Sequence, residues 1–366
     1  MRVFQILEFN QFNTGSVHQM FQAATGLRER GHDVTIISRP DPKLQSRAQV
    51  HRVAFAGLPM RNQFDIASVR ELRSLVRDFR PDVIHVHKGV AHALALAATY
   101  LQPVQAFVVN RGVSFPLDRW NRVKFRTGRV DRVVAVCEQI RGVVIASGKL
   151  PPEKVNVIYA GTDVDVFDPA KWDRGVFRRE KRIADDAFLV AQVGVRDWKG
   201  WKELTDAVAA VPGVHLALIG CRNDAEKAEV TTYAHQRGIG DRFSAIEYRD
   251  DMPNVFAAAD VVVDASWAGT GITGTIREAM AMEKAVIATD CGGNAELVSS
   301  PSVGWLVPTR DVSALANAIG DVVNDRERAR AVGGKARRHI IRGFSKEIRI
   351  TRLERLYSEI LATKSI

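Results

Sequence analysis

Short runs of β-branched and aliphatic residues alternate with stretches of helical period along almost the whole chain, and this alternation restricts the possible folds more than any other feature. VFQIL is followed by a helical pattern near 17–30, then come DVTIIS, a second helical pattern near 66–79, and DVIHVH. Strands that recur with helices between them are βαβ units, and their product is a parallel sheet covered on both faces. The runs end in polar or glycine-bearing loops such as FNQFNTGS and HKGVAH. Ligands of open α/β sheets collect at those carboxyl ends, so the first half is expected to supply one wall of a cleft.

The alternation has two parts. It continues through QAFVVN and DRVVAVC and then breaks at KVNVIYAGTDVDVFDPAKWDRG, where Gly, Asp and Pro interrupt the period. A chain of 366 residues exceeds what one hydrophobic core usually organises, and the break is a natural junction. A second series follows: FLVAQVG, VHLALIG, FSAIEY, DVVVDAS and KAVIATD, separated by helical patterns such as 202–211 and 313–323. The expected division is a first Rossmann-like domain over 1–163 and a second over 164–345. Over 346–366, Leu353, Leu356, Tyr357, Ile360 and Leu361 recur at helical spacing. That pattern predicts a terminal helix docked back on the first domain.

Composition narrows the function classes. With 46% apolar and 26% charged residues the chain can bury a core and is not of a disordered type. No charged leader with an apolar core and cleavage site opens it. The most apolar stretch, 90–109, is interrupted by His92, Gln102, Pro103 and Gln105, too soon for a membrane span. Three widely spaced cysteines, Cys137, Cys221 and Cys291, fit neither a disulfide framework nor a zinc cluster, and the expected location is a reducing cytoplasm. The formal charge of +10 favours a polyanionic partner: a nucleic acid, an anionic lipid surface or a phosphorylated substrate. Without zinc-finger spacing or an RNA-binding aromatic signature, nucleic acid is not the expected partner.

The most informative stretch is DASWAGTGITGTIREAMAMEKAVIATDCGGNAELV, over 264–298. It reads as strand, glycine-rich loop, helix, strand, glycine pair and helix. Gly271, Ile272, Thr273 and Gly274 would present backbone N–H groups at a helix N-terminus, where the dipole favours an anion such as a diphosphate. The competing reading is a tight turn that needs glycine for steric reasons alone. Earlier, GVRDWKGWKEL sets Gly194 at a strand end and puts Arg196 and Lys199 just beyond it. Arg can bond phosphate oxygens bidentately and Lys acts as a mobile point charge; a solvated turn is the alternative.

Taken together, these pieces resemble the retaining glycosyltransferases of family 4, which have the GT-B fold, and the resemblance covers nearly all of the chain. The matching segments, in order, are the glycine loop at Gly15 ahead of GLRERGHDVTIIS, then PDVIHVH, DRVVAVCEQIRGVVIASG, KVNVIYAGTDVDVF and GVRDWKG. They continue with VHLALIG, DDMPNVFAAADVVVDAS, REAMAMEKAVIATDCGGNAEL and GWLVP. The resemblance implies two Rossmann-like domains facing across a cleft, with a nucleotide-sugar donor on the second and a glycan or lipid-linked acceptor on the first. It implies that Arg196 and Lys199 hold the donor diphosphate as it leaves, and that Glu278 binds the ribose hydroxyls, two of which a carboxylate can accept. Gly15, Gly194 and the 271–274 loop would complete the donor site.

The chain departs from the family pattern at two places. Relatives carry a further glutamate eight positions before Glu278, against the donor sugar, where this chain has Thr270. Either the donor sugar differs, another residue substitutes, or catalysis is weak. Relatives also often end the strand before the acceptor loop with a histidine, where this chain has Asn110-Arg111-Gly112. Arg111 would reach a phosphate or an acidic acceptor, since it cannot act as a base. His85 and His87 share one face of a strand, but no third metal ligand is evident nearby, and the family resembles itself in needing no metal or other cofactor. His87 is expected to line the cleft on the acceptor side and His85 to be structural.

RWNRVKFRTGRVDR, if helical, places Arg119, Arg122, Arg126 and Arg129 on one stripe. That stripe could track anionic lipid head groups or a phosphorylated glycan, or be an ordinary solvated face. The resulting expectation is a retaining sugar transfer in envelope polysaccharide or lipopolysaccharide assembly, peripheral to the inner face of the cytoplasmic membrane. A non-catalytic glycan- or partner-binding subunit and a nucleotide-sugar epimerase are the rivals.

Overall fold

The computed structural model describes residues 1–10, 14–268 and 271–364 and divides into two compact units, 1–161 with 346–366, and 162–345. The chain thus leaves the first unit at Gly161, two residues before the junction expected from the sequence, and re-enters it at Lys346.

In the first unit β1 (Arg2–Leu7), α1 (Gly15–Glu29), β2 (Asp33–Ser38), α2 (Pro42–Val50) and β3 (Ala54–Gly57) are followed by α3 (Ile66–Phe79) and β4 (Val83–Val86). Then come α4 (Gly89–Ala98), β5 (Ala106–Arg111), α5 (Arg119–Arg126), β6 (Arg132–Ala135), α6 (Glu138–Gly148) and β7 (Val155–Val157). The sheet order is β3-β2-β1-β4-β5-β6-β7, with parallel pairs throughout. Its order reverses between β1 and β4, which is the switch point of a doubly wound sheet.

The second unit holds α7 (Arg174–Lys181), β8 (Phe188–Val193), α8 (Trp201–Ala209), β9 (Val214–Cys221), α9 (Asp224–Gln236), β10 (Phe243–Glu247) and α10 (Met252–Ala258). β11 (Val261–Asp264), α11 (Gly274–Ala281), β12 (Ala285–Thr289), α12 (Asn294–Leu297), β13 (Trp305–Val307), α13 (Val312–Asn324) and α14 (Arg326–Gly343) complete it. All six strands are parallel in the order β10-β9-β8-β11-β12-β13, and the reversal falls between β8 and β11. Both sheets read as near-continuous apolar runs because helices bury both of their faces.

The last helix, α15 (Lys346–Lys364), belongs to the first unit. Ile350, Leu353, Leu356, Tyr357 and Ile360 repeat at helical spacing and join the core built by Val3, Leu7, Met20 and Ile36. α1 admits α15 closely because residue 26 is glycine: a Cβ there would lie 2.6 Å from Ile350 Cγ1. The rim is ionic, with Arg30 on Glu347 and Glu354 at 3.2 and 2.9 Å and Lys346 on Glu29 at 3.2 Å. Tyr357 reaches the centre of the sheet, where its hydroxyl lies 2.6 Å from His85 Nδ1 and accepts from Gln5 Nε2 at 3.2 Å. Among the described residues no helix is long and apolar enough to cross a membrane.

Buried histidines, His85, His87 and His92, make this unit sensitive to acid. Burial, with the nearby charge of Arg349, pushes His85 down to about 3; burial, with Lys124 and Lys154, does the same to His92. The unfolded chain takes up these protons below about pH 6.5, while the folded one refuses them until about pH 3, so stability falls as pH drops through that window. Urea unfolding between pH 6 and pH 5 should show His92→Leu losing less stability than wild type, by roughly 1 kcal/mol per pH unit. Equal slopes would mean that His92 is not held neutral.

Candidate functional site

The second unit gathers its polar side chains where β8 and β11, adjacent at the switch point, end. After β8 the chain turns at Gly194, φ +97°, and again at Gly200, φ +66°, both in the left-handed region that glycine enters freely. Gly200 has a second reason to lack a side chain, since a Cβ would lie 2.0 Å from the Ala265 carbonyl oxygen just past β11. Gln192 ties the same two loops: its Oε1 accepts from Ala265 N at 3.1 Å and its Nε2 donates to Lys199 O at 3.2 Å.

This close approach aims Lys199. Its Nζ lies 3.7 Å from Asp264 Oδ1 and 5.1 Å from the centre of the Trp198 ring. Asp264 is buried, and its Oδ1 also accepts from the Ser266 backbone N–H at 3.1 Å and from the Ser266 hydroxyl. Its Oδ2 is buried without a hydrogen-bond partner among the described residues. The ammonium is thus held beside a desolvated carboxylate. Arg196, by contrast, is exposed, and it borders an open pocket of about 300 Å³ shared with Trp198, Trp201, Lys202, Arg222, Glu226 and Glu229. Arg222 bonds Glu226 there and, with a smaller contribution from the charge of Arg196, holds that carboxyl below its ordinary range.

The glycine-rich loop between β11 and α11 is described from Gly271 onward; Gly269 and Thr270 lie outside the described residues. Thr273 is the N-cap of α11, yet its hydroxyl does not cap the helix and instead donates to Asn294 Oδ1 at 3.1 Å. Asn294 also accepts from Thr273 N at 3.3 Å and donates to Thr289 O at 3.1 Å, and Gly293 N donates to Gly271 O at 3.3 Å. The glycine pair after β12 therefore braces the loop. Among the described residues the Thr273 side chain does not cap the first-turn N–H groups of α11, which suits them to an anion.

Glu278 stands one turn into α11, half-buried, with Oε1 3.8 Å from the point where a Gly274 side chain would begin. Burial pushes its carboxyl up to about 7, against the opposing pull of Arg277. Arg277 is buried beside it, brought down to about 10 by desolvation, and its Nη1 donates to Thr162 Oγ1 at 2.9 Å. Gly194, Lys199, the 271–274 loop and Glu278 are thus borne by two neighbouring strand ends of one unit.

The first unit treats its candidates differently. Gly15 opens α1, exposed, with nothing within 4 Å of a Cβ built on it. His87 is buried rather than open to a ligand: its Nε2 lies 2.6 Å from Gln5 Oε1 and its ring stacks on His85 at 4.5 Å. It lies just past β4, and the ring packs inward because Gln5, on the adjacent β1, offers a partner. Arg111 ends β5 and turns back to donate to Phe115 O within its own loop, while burial lowers its pKa from the ordinary value. Residue Glu8, which the sequence did not single out, is buried at the end of β1. Its carboxylate accepts from Val90 N and Ala91 N, each at 3.2 Å, and so fills the N-terminus of α4. α5 is helical only to Arg126. Thr127 leaves the helix at φ −53°, ψ 140°, and Arg129 donates instead to Tyr100 O at 2.9 Å, so it is not part of the helical stripe.

Gln192, Asp264, Asn294 and Arg277 also escaped the sequence reading. Their function is to hold other groups, and only the fold reveals which groups those are. Among the described residues no group of three His, Cys, Asp or Glu side chains is placed to hold a metal ion.

Residues 14–166 match the family model described as Glycosyltransferase Family 4, and residues 185–325 match that of Glycosyl transferases group 1. The chain is 24% identical over 320 residues to the UDP-Gal:alpha-D-GlcNAc-diphosphoundecaprenol alpha-1,3-galactosyltransferase of Escherichia coli, covering 82% of this chain and 81% of that one. A glycosyltransferase structure from Rickettsia africae superposes with a TM-score of 0.88 at 20% identity, covering 98% of both chains. HepE of Anabaena, solved in complex with UDP, gives 0.85 at 20% identity, covering 98% of this chain and 100% of its own. At such identity the two structural likenesses establish the fold.

The contact at Gly200 makes a direct test of this corner. Gly213 has φ +73° with open space around it, so Gly213→Ala incurs only the left-handed penalty, about 1 to 2 kcal/mol. Gly200→Ala incurs that penalty and the clash with Ala265, and its urea midpoint should fall clearly below that of Gly213→Ala. Indistinguishable midpoints would show that the two loops are not in contact.

Proposed function

Because the chain belongs to the group 1 glycosyltransferases and has their GT-B fold, we propose that it transfers a sugar from a nucleotide diphosphate to an acceptor hydroxyl with retention of configuration. The supporting observation is that Lys199 stands where β8 and β11 end, and that the loop after β11 leads into the α11 N-terminus and the Glu278 carboxyl. A cation and a set of N–H donors suit a diphosphate, and the carboxylate suits a vicinal diol. The binding of UDP by HepE, which shares the fold, points the same way.

In this reading Arg196 and Lys199 hold the donor diphosphate. The bond between the anomeric carbon and the phosphate oxygen breaks, and a bond from that carbon to the acceptor oxygen forms on the same face. The acceptor proton passes to the leaving phosphate oxygen, so no side-chain base is required. Charge growing on that oxygen meets Lys199 and Arg196, and loss of either cation would raise the barrier by roughly 2.7 to 4 kcal/mol. No metal or other cofactor is assigned a role. Thr270 stands in the sequence where relatives carry a glutamate against the donor sugar, and a neutral hydroxyl there favours a sugar that needs no carboxylate partner.

The acceptor side is assigned to the first unit. α5 carries Arg119, Arg122 and Arg126, and Trp120 and Val123 stand 82% and 67% exposed beside them. Cations flanked by exposed apolar side chains suit an anionic membrane surface and a lipid-linked acceptor. The activity would then belong to polysaccharide or glycolipid assembly at the inner face of the membrane.

Two measurements bear on these assignments. Binding of the ribose hydroxyls requires ionised Glu278, which below about pH 7 must first lose a proton. Affinity for UDP-glucose, whose diphosphate does not titrate near neutrality, should therefore fall by up to about tenfold per pH unit below 7 and level off above it. Glu278→Gln should bind more weakly and show a flat profile by calorimetry; unchanged affinity would remove Glu278 from the site. GDP- and ADP-glucose complete the panel, since any ligand at a hundred times its Kd stabilises by about 2.7 kcal/mol and registers as a thermal shift.

The surface is tested by reversing Arg119, Arg122 and Arg126 to Glu. Sedimentation with anionic vesicles should be lost, wild-type binding should weaken with salt, and donor hydrolysis should be retained. Indifference of sedimentation to the reversal would make α5 an ordinary face.

A further inference from the structure

The chain passes between the two units at Gly161-Thr162 and again at Ser345-Lys346, and the first crossing is held by one helix of each unit. In the second unit the helix is α11. Arg277, the residue before Glu278, donates from Nη1 to Thr162 Oγ1 at 2.9 Å, with both residues buried. Thr162 is fixed in turn to the returning chain: its N–H donates to Phe344 O at 2.8 Å, and it pairs with Ser345 in a parallel bridge. In the first unit the helix is α1. Gln19 holds both polar groups of Gly161, accepting from its N–H at 3.0 Å and donating to its carbonyl at 3.1 Å. Arg349 donates to the Gln19 carbonyl at 2.9 Å. Gly161 has no room for a side chain, because a Cβ would lie 2.9 Å from Lys346 Cα.

Resting on the donor site proposed above, we infer that Arg277 is a positioning residue that transmits occupation of the donor site to the crossing at Gly161-Thr162, with Gln19 holding that crossing from the first unit. The reasoning is electrostatic and geometric. A buried guanidinium needs a counter-charge and hydrogen-bond acceptors, and Arg277 has Glu278 on one side and Thr162 on the other. Near neutral pH Glu278 is ionised in only part of the molecules. A ribose that selects the ionised carboxylate supplies Arg277 with a full counter-charge and fixes the guanidinium. Its far end is the bond to Thr162, so that bond becomes more persistent when the donor is present. No covalent step is involved, and Arg277 need not touch the donor.

Thr162→Val removes the acceptor at nearly constant volume, and Thr162→Ser retains it. Hydrogen exchange is followed at the Gly161 and Thr162 amides, with and without whichever of UDP-, GDP- and ADP-glucose binds the wild type. The sugar nucleotide should slow exchange there in wild type and in Thr162→Ser. In Thr162→Val it should bind roughly tenfold more weakly, since a bond that the donor strengthens must strengthen donor binding by the same factor, and give no protection. Thr162→Ser should restore both the affinity and the protection. A purely structural bond would lower thermal stability and leave the Kd unchanged. Wild type that binds donor without protecting the crossing would overturn the coupling and leave the donor site standing. Equal protection in Thr162→Val would also overturn it, and a wild type that binds none of the three nucleotides overturns both.

Discussion

The arrangement of the second unit depends on one close approach, that of Gly200 to the Ala265 carbonyl. Parallel strands meet side by side at a switch point, but the loops beyond them diverge unless something holds them together. Here the absence of a side chain at 200 lets the loop after β8 lie on the loop after β11, and Gln192 fastens them with two hydrogen bonds. Lys199 is then carried to Asp264, and Thr289 closes the far side by donating to the carbonyls of Asp264 and Ser266. A lysine on a free loop would sample many rotamers at an entropic cost of up to about 2 kcal/mol. Held against a buried carboxylate and the Trp198 ring, it is already ordered before any anion arrives.

The first unit relies on a different kind of closure. Its sheet would expose the face covered by α15 if the chain ended at Ser345, and the returning helix supplies five apolar side chains to that core. Burial alone does not determine where the helix sits, because apolar contact has no direction. The hydroxyl of Tyr357 does, by reaching the one place on the sheet where His85 and Gln5 offer partners. A polar network buried this deeply fixes register, since a helix shifted by one turn would take the hydroxyl away from His85 Nδ1 and Gln5 Nε2.

These cases explain what could be read in advance. Apolar runs and helical spacing are local, and the strands and helices drawn from them, including α3 over Ile66–Phe79, are present in the structure. Gly194, Lys199, the 271–274 loop and Glu278 were named from short patterns at strand ends, and the fold places them after β8 and β11. His87 did not behave as its position suggested, because its environment is set by Gln5, which is far away in sequence. Arg129 left the expected stripe for the same sort of reason: Thr127-Gly128 ends α5, and the Tyr100 carbonyl captures the guanidinium. Asn294 and Arg277 are ordinary helix residues by sequence. They acquire meaning only when β12 and Thr162 are placed beside them.

The cost of this design is concentrated at Glu278. A carboxyl raised from 4.5 to about 7 is a group that folding has made harder to ionise, so the stability it contributes is present below pH 4.5 and lost as pH rises toward 7. Keeping such a carboxyl ionised at neutral pH works against the small net stability of a domain. A glutamine would avoid it. Retaining the acid makes sense if something else compensates at neutral pH, and a diol that donates two hydrogen bonds to the carboxylate would do so, since hydrogen bonds to charged groups are the stronger kind. Arg277 lowers the cost only in part, because its own charge is desolvated in the same place. The desolvated carboxyl thus lies next to the residue that holds Thr162. That adjacency makes the crossing between the units responsive to what happens at the end of β11.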